Sequence, residues 1–309
     1  MKLVTYMTPA GESSLGLLRG GRIYDIAGLG NLLGVYLPAN ILEFLENSSE
    51  IRPTMEAIQS YLDAGVAPSW PAEGVQLLAP IPKPGKILAV AGNFQSHIKE
   101  GGGQEVDKTR ITPRFFLKPS NSTVGPGGLI LRPKLSPAVD YELELGVVIG
   151  AHAHSVSPAD ALDYVAGYTI FNDVSARRLT LAETRDERPW DDFFDWLNGK
   201  WFDTFSAMGP YVATADEIAD PQNLAMRLWV NGELRQEGNT GQMIFNVAEL
   251  VAFISQFTTL EPGDVIATGT PAGVGDTTGR YLQAGDVVVG AIQGLGELRN
   301  IVADDILGR

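Results

Sequence analysis

The chain has no cysteine, so it forms no disulfide and carries no thiolate nucleophile or thiolate metal ligand, a pattern that suits a reducing compartment. It has only three histidines: His97, and the pair His152 and His154. His152 and His154 lie on an expected surface turn with no third nitrogen or sulfur ligand nearby, which argues against zinc. Charged residues are scarce, at 19%, but unbalanced: 37 acidic against 23 basic side chains leave a net charge of −14. Such a surface repels phosphate backbones and anionic lipid, so neither nucleic acid nor membrane is an expected partner. No run of 18 apolar residues occurs, and MKLVTYMTPAGE lacks the apolar core of a signal peptide; the expected location is the cytosol. Also missing are a G-x-S-x-G elbow, the Lys-Ser/Thr ending that would make GTPAGVG (269–275) a phosphate loop, and the third glycine that would make GLGEL (294–298) a dinucleotide fingerprint.

What is present is turn-rich and apolar: 35 glycines, 19 prolines and 44% hydrophobic residues favour many short strands around a large core. Strands are expected at Leu3–Tyr6, Ser14–Arg19 and Arg22–Asp25, the last two joined by a Gly20-Gly21 hairpin turn. Helices are expected at Ile41–Asn47 and Thr54–Ala64. Five prolines between Gly65 and Gly85 rule out a continuous element there and set a domain junction near residue 80. Beyond it the pattern predicts strands at Ile87–Val90, Phe115–Leu117, Tyr141–Ile149, Gly167–Phe171, Ala225–Val230, Val287–Ile292 and Leu298–Val302. Helices are fewer, at Phe94–Glu100, Val174–Ala182, Trp190–Leu197 and Val247–Phe257. The class is α+β, mainly β, with a small domain over 1–80 and a larger one over 81–309.

DYELELGVVIG (140–150) is the most informative segment. In a strand Tyr141, Leu143 and Leu145 share one face while Glu142 and Glu144 share the other, roughly 6.5–7 Å apart. The apolar run that follows implies burial, and two buried carboxylates side by side need a cation between them. A hard divalent ion with oxygen ligands meets that need. The alternative is a solvated outer face. In GYTIFNDVSAR (167–177) a third carboxylate, Asp173, stands at a strand end, either as a further ligand or as the cap of a helix from Val174. Arg177, one helical turn on, is either the cation for an anionic substrate or an ordinary ion-pair partner. His97 precedes Glu100 by three residues and shares its helical face. A carboxylate beside an imidazole fixes its tautomer and raises its basicity, as a proton-transfer pair requires, although surface pairs of this kind are common. Gly101–Gly103 offers a hinge beside it.

Taken in order, GNFQSHIKE, PRFFLKPSN, DYELELGVVIG, GYTIFNDVSAR, GKWFDTFSAMGP, VNGELRQ and EPGDVIATGTPAGVG resemble the fumarylacetoacetate hydrolase superfamily over residues 81–309. The first 80 residues resemble the small N-terminal α+β domain of its longer bacterial members. The resemblance implies a mixed β-sandwich roll, usually a homodimer, with magnesium or manganese held by Glu142, Glu144 and Asp173. It implies that His97 and Glu100 ride on a lid, and that Arg177, Lys200 and Thr270 bind substrate. Two positions near the family's substrate pocket depart from the common pattern: Phe94 replaces a tyrosine and Thr180 a glutamine. A third departure, Ala207 for a common proline, is expected to matter less.

The implied activity is hydrolysis of a carbon–carbon bond in a small 2,4-dioxo acid. His97 would activate water, Lys200 would stabilise the oxyanion, and Arg177 and Thr270 would hold the carboxylate. Decarboxylation of a 2-oxo diacid and isomerisation of a 2-hydroxydienoate use the same metal chemistry. A non-catalytic binding module is the rival of another class, and an intact His97–Glu100 pair argues against it.

Overall fold

The computed structural model describes residues 1–63, 67–182 and 184–306. The chain opens with a meander, β1 (Lys2–Met7), β2 (Ser13–Arg19) and β3 (Arg22–Asp25). Gly20 and Gly21, at φ 55° and 72°, make the expected two-residue turn, because only positive φ at both positions matches the twist of the flanking strands. Next comes α1 (Ile26–Leu33), a helix the sequence pattern did not predict. Its interior Gly28 and Gly30 weaken the local helical signal, yet a side chain at Gly30 would run into the Val35 carbonyl and Leu37. Asp25 caps its start and Gly34, at φ 68°, ends it. Then follow α2 (Ile41–Glu46), α3 (Ser48–Asp63) and β4 (Trp70–Pro71); the last residue of the helix expected over Thr54–Ala64 lies outside the described residues.

The longer part runs β5 (Ile87–Ala91), α4 (Gln95–Glu100), β6 (Arg114–Lys118), β7 (Thr123–Val124), β8 (Leu129–Arg132), β9 (Val139–Asp140), β10 (Leu143–Ile149), β11 (Val165–Asp173) and β12 (Ser175–Ala176). It continues with α5 (Asp191–Asn198), β13 (Ser206–Thr214), β14 (Ala225–Val230), β15 (Glu233–Asn239), α6 (Val247–Ile254), β16 (Val265–Ala267), α7 (Gly275–Thr278), β17 (Val287–Ile292) and β18 (Gly296–Asp304).

These strands form a large mixed sheet in the order β4-β3-β2-β1-β13-β11-β10-β16-β5-β6, with β7 beside β13. A second sheet runs β15-β14-β17-β18-β8, and β9 and β12 make a separate two-stranded ribbon. Leu143, Leu145, Val147 and Ile170 of the large sheet pack against Met226, Leu228, Val288 and Ile292 of the second. Gly290 lets the layers close, since a Cβ there would sit 2.8 Å from Leu143. The opposite face of the large sheet, with Val148, Phe171, Met208 and Val265, shares a cluster with Ile26, Ile41, Phe44 and Ile58 of α1–α3. Each such side chain contributes about 1.5–3 kcal/mol of burial. β1 pairs with β13, Lys2 opposite Ala213, so the first 80 residues extend the sheet that carries the larger part of the chain. No helix among the described residues is long and apolar enough to cross a membrane.

Two expectations are corrected. The strand expected from Tyr141 begins at Leu143, and Glu142 lies just outside it: its N–H is bonded by the Asn172 side chain and its carbonyl by Asp173 N–H. The helix expected over Val174–Ala182 does not form. Ser175 and Ala176 instead pair with Asp140 and Val139, and the amides of Ala176, Arg177 and Thr180 donate to the carbonyls of Gly199, Ala138 and Leu135. Good helix formers here find long-range partners for an extended backbone, and the ladder overrides local propensity.

Candidate metal centre

Every residue of β10 is buried, Glu144 included, so this strand has apolar neighbours on both faces and a carboxylate among them. Glu142, Glu144 and Asp173 bring one oxygen each within 4.8 Å of one another, all three side chains buried. The antiparallel pairing of β10 with β11, Leu143 opposite Asn172, sets this convergence, since Asp173 at the end of β11 falls beside Glu142 at the mouth of β10.

Cations meet the acids unevenly. Lys200 Nζ donates to Glu142 Oε2 at 2.7 Å and to Asp173 Oδ2 at 2.8 Å, bridging the two. Lys118 Nζ donates to Asp173 Oδ1 at 2.5 Å and to the carbonyls of Lys200 and Val174. Arg177 pairs with Glu142 Oε1 and, through Nε at 2.9 Å, with Asp140 Oδ2. Glu144 has only the Gly269 N–H, 2.7 Å from Oε2; among the described residues nothing donates to Oε1.

The titrations follow. Burial pushes the Glu144 carboxyl well above the usual range, and the charges of Asp173 and Glu142 push it further. Burial acts the same way on Glu142, but Lys200 and Arg177, with His97 nearby, overcome it and hold that carboxyl far down. Lys118 is lowered by burial, whereas in Lys200 the same burial is outweighed by Asp173 and Glu142, which raise it.

This donor set fits a hard divalent ion: three carboxylates, no sulfur or nitrogen, and an uncommitted oxygen on an acid that resists ionising without a further cation. His152 and His154 are exposed and stand outside this cluster.

The His97–Glu100 pair lies on α4 as expected. His97 Nδ1 is 2.8 Å from Glu100 Oε1, and because a carboxylate only accepts, the ring donates there and keeps Nε2 free. Glu100 Oε2 accepts from Gly273 N at 2.7 Å and Thr277 Oγ1 at 3.0 Å, tying the helix to α7 and the loop before it. Burial alone would raise the Glu100 carboxyl, but the bonds from His97 and Gly273 outweigh it and lower it. Gly102, at φ 82°, turns the chain out of the helix.

The remaining candidates divide. Arg177 reaches the acids from an extended segment, not from a helical turn, and its guanidinium is committed to Asp140 and Glu142. The Thr270 hydroxyl donates to the Leu143 carbonyl and accepts from Gln236, bracing the backbone between the two glutamates. Phe94 is wholly buried in the main core, at the start of α4. Thr180 is exposed, its amide bonded to Leu135. Ala207 is fully buried in β13.

Lys118, Asp140, Asn172 and Gln236 escaped the sequence reading. Only Lys118 left a trace there, as a lysine closing the apolar strand RFFLK, a pattern shared with many surface strand ends.

Comparison with known proteins agrees with this architecture. The family described as fumarylacetoacetate (FAA) hydrolase C-terminal matches residues 86–303. The chain is 39% identical over 308 residues to the mitochondrial oxaloacetate tautomerase FAHD2B of Bos taurus, covering 98% of this chain and 91% of that protein. A fumarylacetoacetate hydrolase of Exiguobacterium antarcticum superposes with a TM-score of 0.78 at 34% identity, covering 98% of this chain and 99% of that one. The maleylpyruvate hydrolase of Sphingobium sp. SYK-6, solved with manganese(II) and pyruvate, does so with a TM-score of 0.76 at 31% identity and the same coverage. With a family match over residues 86–303 and likeness in sequence and fold along nearly its whole length, the chain belongs to the fumarylacetoacetate hydrolase superfamily.

Proposed function

We propose that the protein is a metal-dependent enzyme acting on a 2-oxo dicarboxylic acid, and that its reaction is interconversion of the keto and enol forms of oxaloacetate. One observation carries this reading: the hydrogen-bonded pair His97–Glu100 lies close enough to a buried three-carboxylate cluster for His97 to act on the charge of Glu142. Glu142, Glu144 and Asp173 would hold a magnesium or manganese ion, which would supply Lewis acidity toward the 2-oxo acid and so acidify its C3 protons.

The chain's own groups do the rest. Glu100 accepts a hydrogen bond from His97 Nδ1–H, leaving Nε2 as the base that removes a C3 proton and returns it. Lys200, cationic and buried, is placed to donate to the C2 oxygen as negative charge grows on it, an effect worth about 3 kcal/mol where comparable donors have been removed. The bovine oxaloacetate tautomerase, matching 98% of this chain, supports the choice of substrate.

A second reading is hydrolysis of an acylpyruvate-type 2,4-dioxo acid, favoured by the likeness to maleylpyruvate hydrolase. There His97 would take its proton from water instead of carbon. The test supplies enol-oxaloacetate, an acylpyruvate and a hydroxymuconate-type diacid to the purified protein with magnesium, following enol absorbance and carbon dioxide separately. Faster loss of the enol without carbon dioxide release is the expected result. Turnover of the acylpyruvate with enol decay left at its spontaneous rate would replace the first reading by the second.

A further inference from the structure

Asp140 has no accessible surface and four hydrogen bonds, every one from a donor on a different residue. Oδ1 accepts from Tyr141 N at 2.8 Å and Gly275 N at 2.6 Å; Oδ2 accepts from Arg177 Nε at 2.9 Å and Asp276 N at 3.0 Å. Two of these partners lie about 135 residues away along the chain, at the start of α7. Gly275 is required at that contact, since a Cβ there would sit 2.7 Å from Asp140 Oδ1.

The same short segment is gripped from its other side by the lid. Glu100 takes the Gly273 amide and the Thr277 hydroxyl, while Asp140 takes the two amides between them. Through Arg177, Asp140 also reaches Glu142 of the carboxylate cluster. One buried carboxylate therefore touches both the segment on which the lid rests and the cation that steadies a metal ligand.

We propose that Asp140 is a positioning residue that keeps the lid in register with the metal centre, acting on Glu100 and His97 through residues 273–277 and on Glu142 through Arg177. The inference rests on the reading of His97 as the proton-transfer group. Because all four partners donate, Asp140→Asn is a sharp probe: the variant keeps the shape, yet whichever way the amide turns, its NH2 faces two N–H groups. Thr277→Val probes the lid side alone, at an exposed residue that bonds Glu100 and is not one of the three clustered acids.

The experiment measures hydrogen exchange of the backbone amides over residues 95–106 in both variants and the wild type, with EDTA and then with magnesium plus pyruvate, alongside kcat and KM on oxaloacetate. Losing one such bond should speed exchange of the lid about tenfold in Asp140→Asn and about threefold in Thr277→Val. The double variant should show less than the product of the two, because both act on one segment. kcat should fall while KM moves little. Unchanged lid exchange in Asp140→Asn, with only magnesium affinity reduced, would overturn the proposal by confining Asp140 to the metal shell. If Asp140→Asn does not fold, unchanged exchange in Thr277→Val overturns it equally. Exchange needs no turnover, so a wild type inactive on oxaloacetate whose lid still loosens in the variants would sink the activity reading and leave the positioning role standing.

Discussion

The acid cluster and the His97–Glu100 pair stand side by side but are held by different means. Glu142, Glu144 and Asp173 sit on or beside strands paired on both sides within the large sheet, with lysines and an arginine filling the space around them. His97 and Glu100 ride on a six-residue helix with no buried residue and no side-chain cap, tied through Glu100 to Gly273 and Thr277 and through Ser96 to Ala272. Rigidity is thus concentrated where like charges must be forced together, a costly arrangement that only a packed sheet enforces. His97 and Glu100 need no such force and sit on a short helix without a buried residue, the kind of element that local opening draws on.

If that division holds, substitutions in the two regions separate metal binding from chemistry. The largest effect is expected for Glu142→Ala: loss of magnesium binding by calorimetry together with an activity loss of at least about 1,000-fold. Full magnesium occupancy in that variant would refute the ligand assignment. His97→Ala should cost about 100–1,000-fold in kcat while magnesium affinity stays within twofold, because the imidazole lies outside the carboxylate cluster. A parallel loss of metal would dissolve the distinction. Glu100→Gln should cost about 10–100-fold in kcat, since an amide turned toward His97 donates to Nδ1 and leaves the proton on Nε2, the wrong tautomer for a base. Wild-type kcat in that variant would show that tautomer control is not its role.

The same division explains what the sequence made legible. Charges inside an apolar run announce themselves, so Glu142 and Glu144 could be read from DYELELGVVIG, and their partner Asp173 from its place at a strand end. The segment after Asp173 misled because Val174–Ala182 is rich in residues that favour helix, while the carbonyls that hold it extended belong to Gly199, Ala138 and Leu135. Asp140 and Gln236 act on backbone groups far away in the chain, and no local pattern encodes such bonds. Lys118 went unread because its burial depends on the Asp173 carboxylate and two distant carbonyls. Family likeness supplied the role of Lys200, which lies in a segment with no periodic signal of its own.

A smaller effect sharpens the contrast from the side of the proton. Glu144 in the metal-free protein has its carboxyl raised by burial and by Asp173 and Glu142. Over the interval between the ordinary glutamate pKa and that raised value, the native state keeps a proton the unfolded chain has lost. The contribution is fully present below the ordinary value and is lost as pH rises through the raised one, at no more than about 1.4 kcal/mol per pH unit. Urea denaturation in EDTA across pH should show this decline, and Glu144→Gln should flatten it. Magnesium affinity should rise over the same interval, because the ion displaces that proton. A difference between wild type and variant that does not change with pH would mean that Glu144 is already ionised without metal.

The smallest expected effect concerns the histidines outside both regions. His152 and His154 are exposed on the turn after β10, and His154 Nδ1 has only Thr259 Oγ1, 3.4 Å away. Neither joins the carboxylate cluster, so a double replacement by alanine removes no buried contact and no ligand of the proposed ion. Stability should stay within about 0.5 kcal/mol and magnesium affinity should be unchanged, as for surface substitutions generally. Zinc offered to the wild type should bind at the carboxylates and be displaced by excess magnesium. Zinc held by wild type but not by the double variant, and indifferent to magnesium, would reveal a second metal site and end the claim that oxygen ligands alone serve this protein.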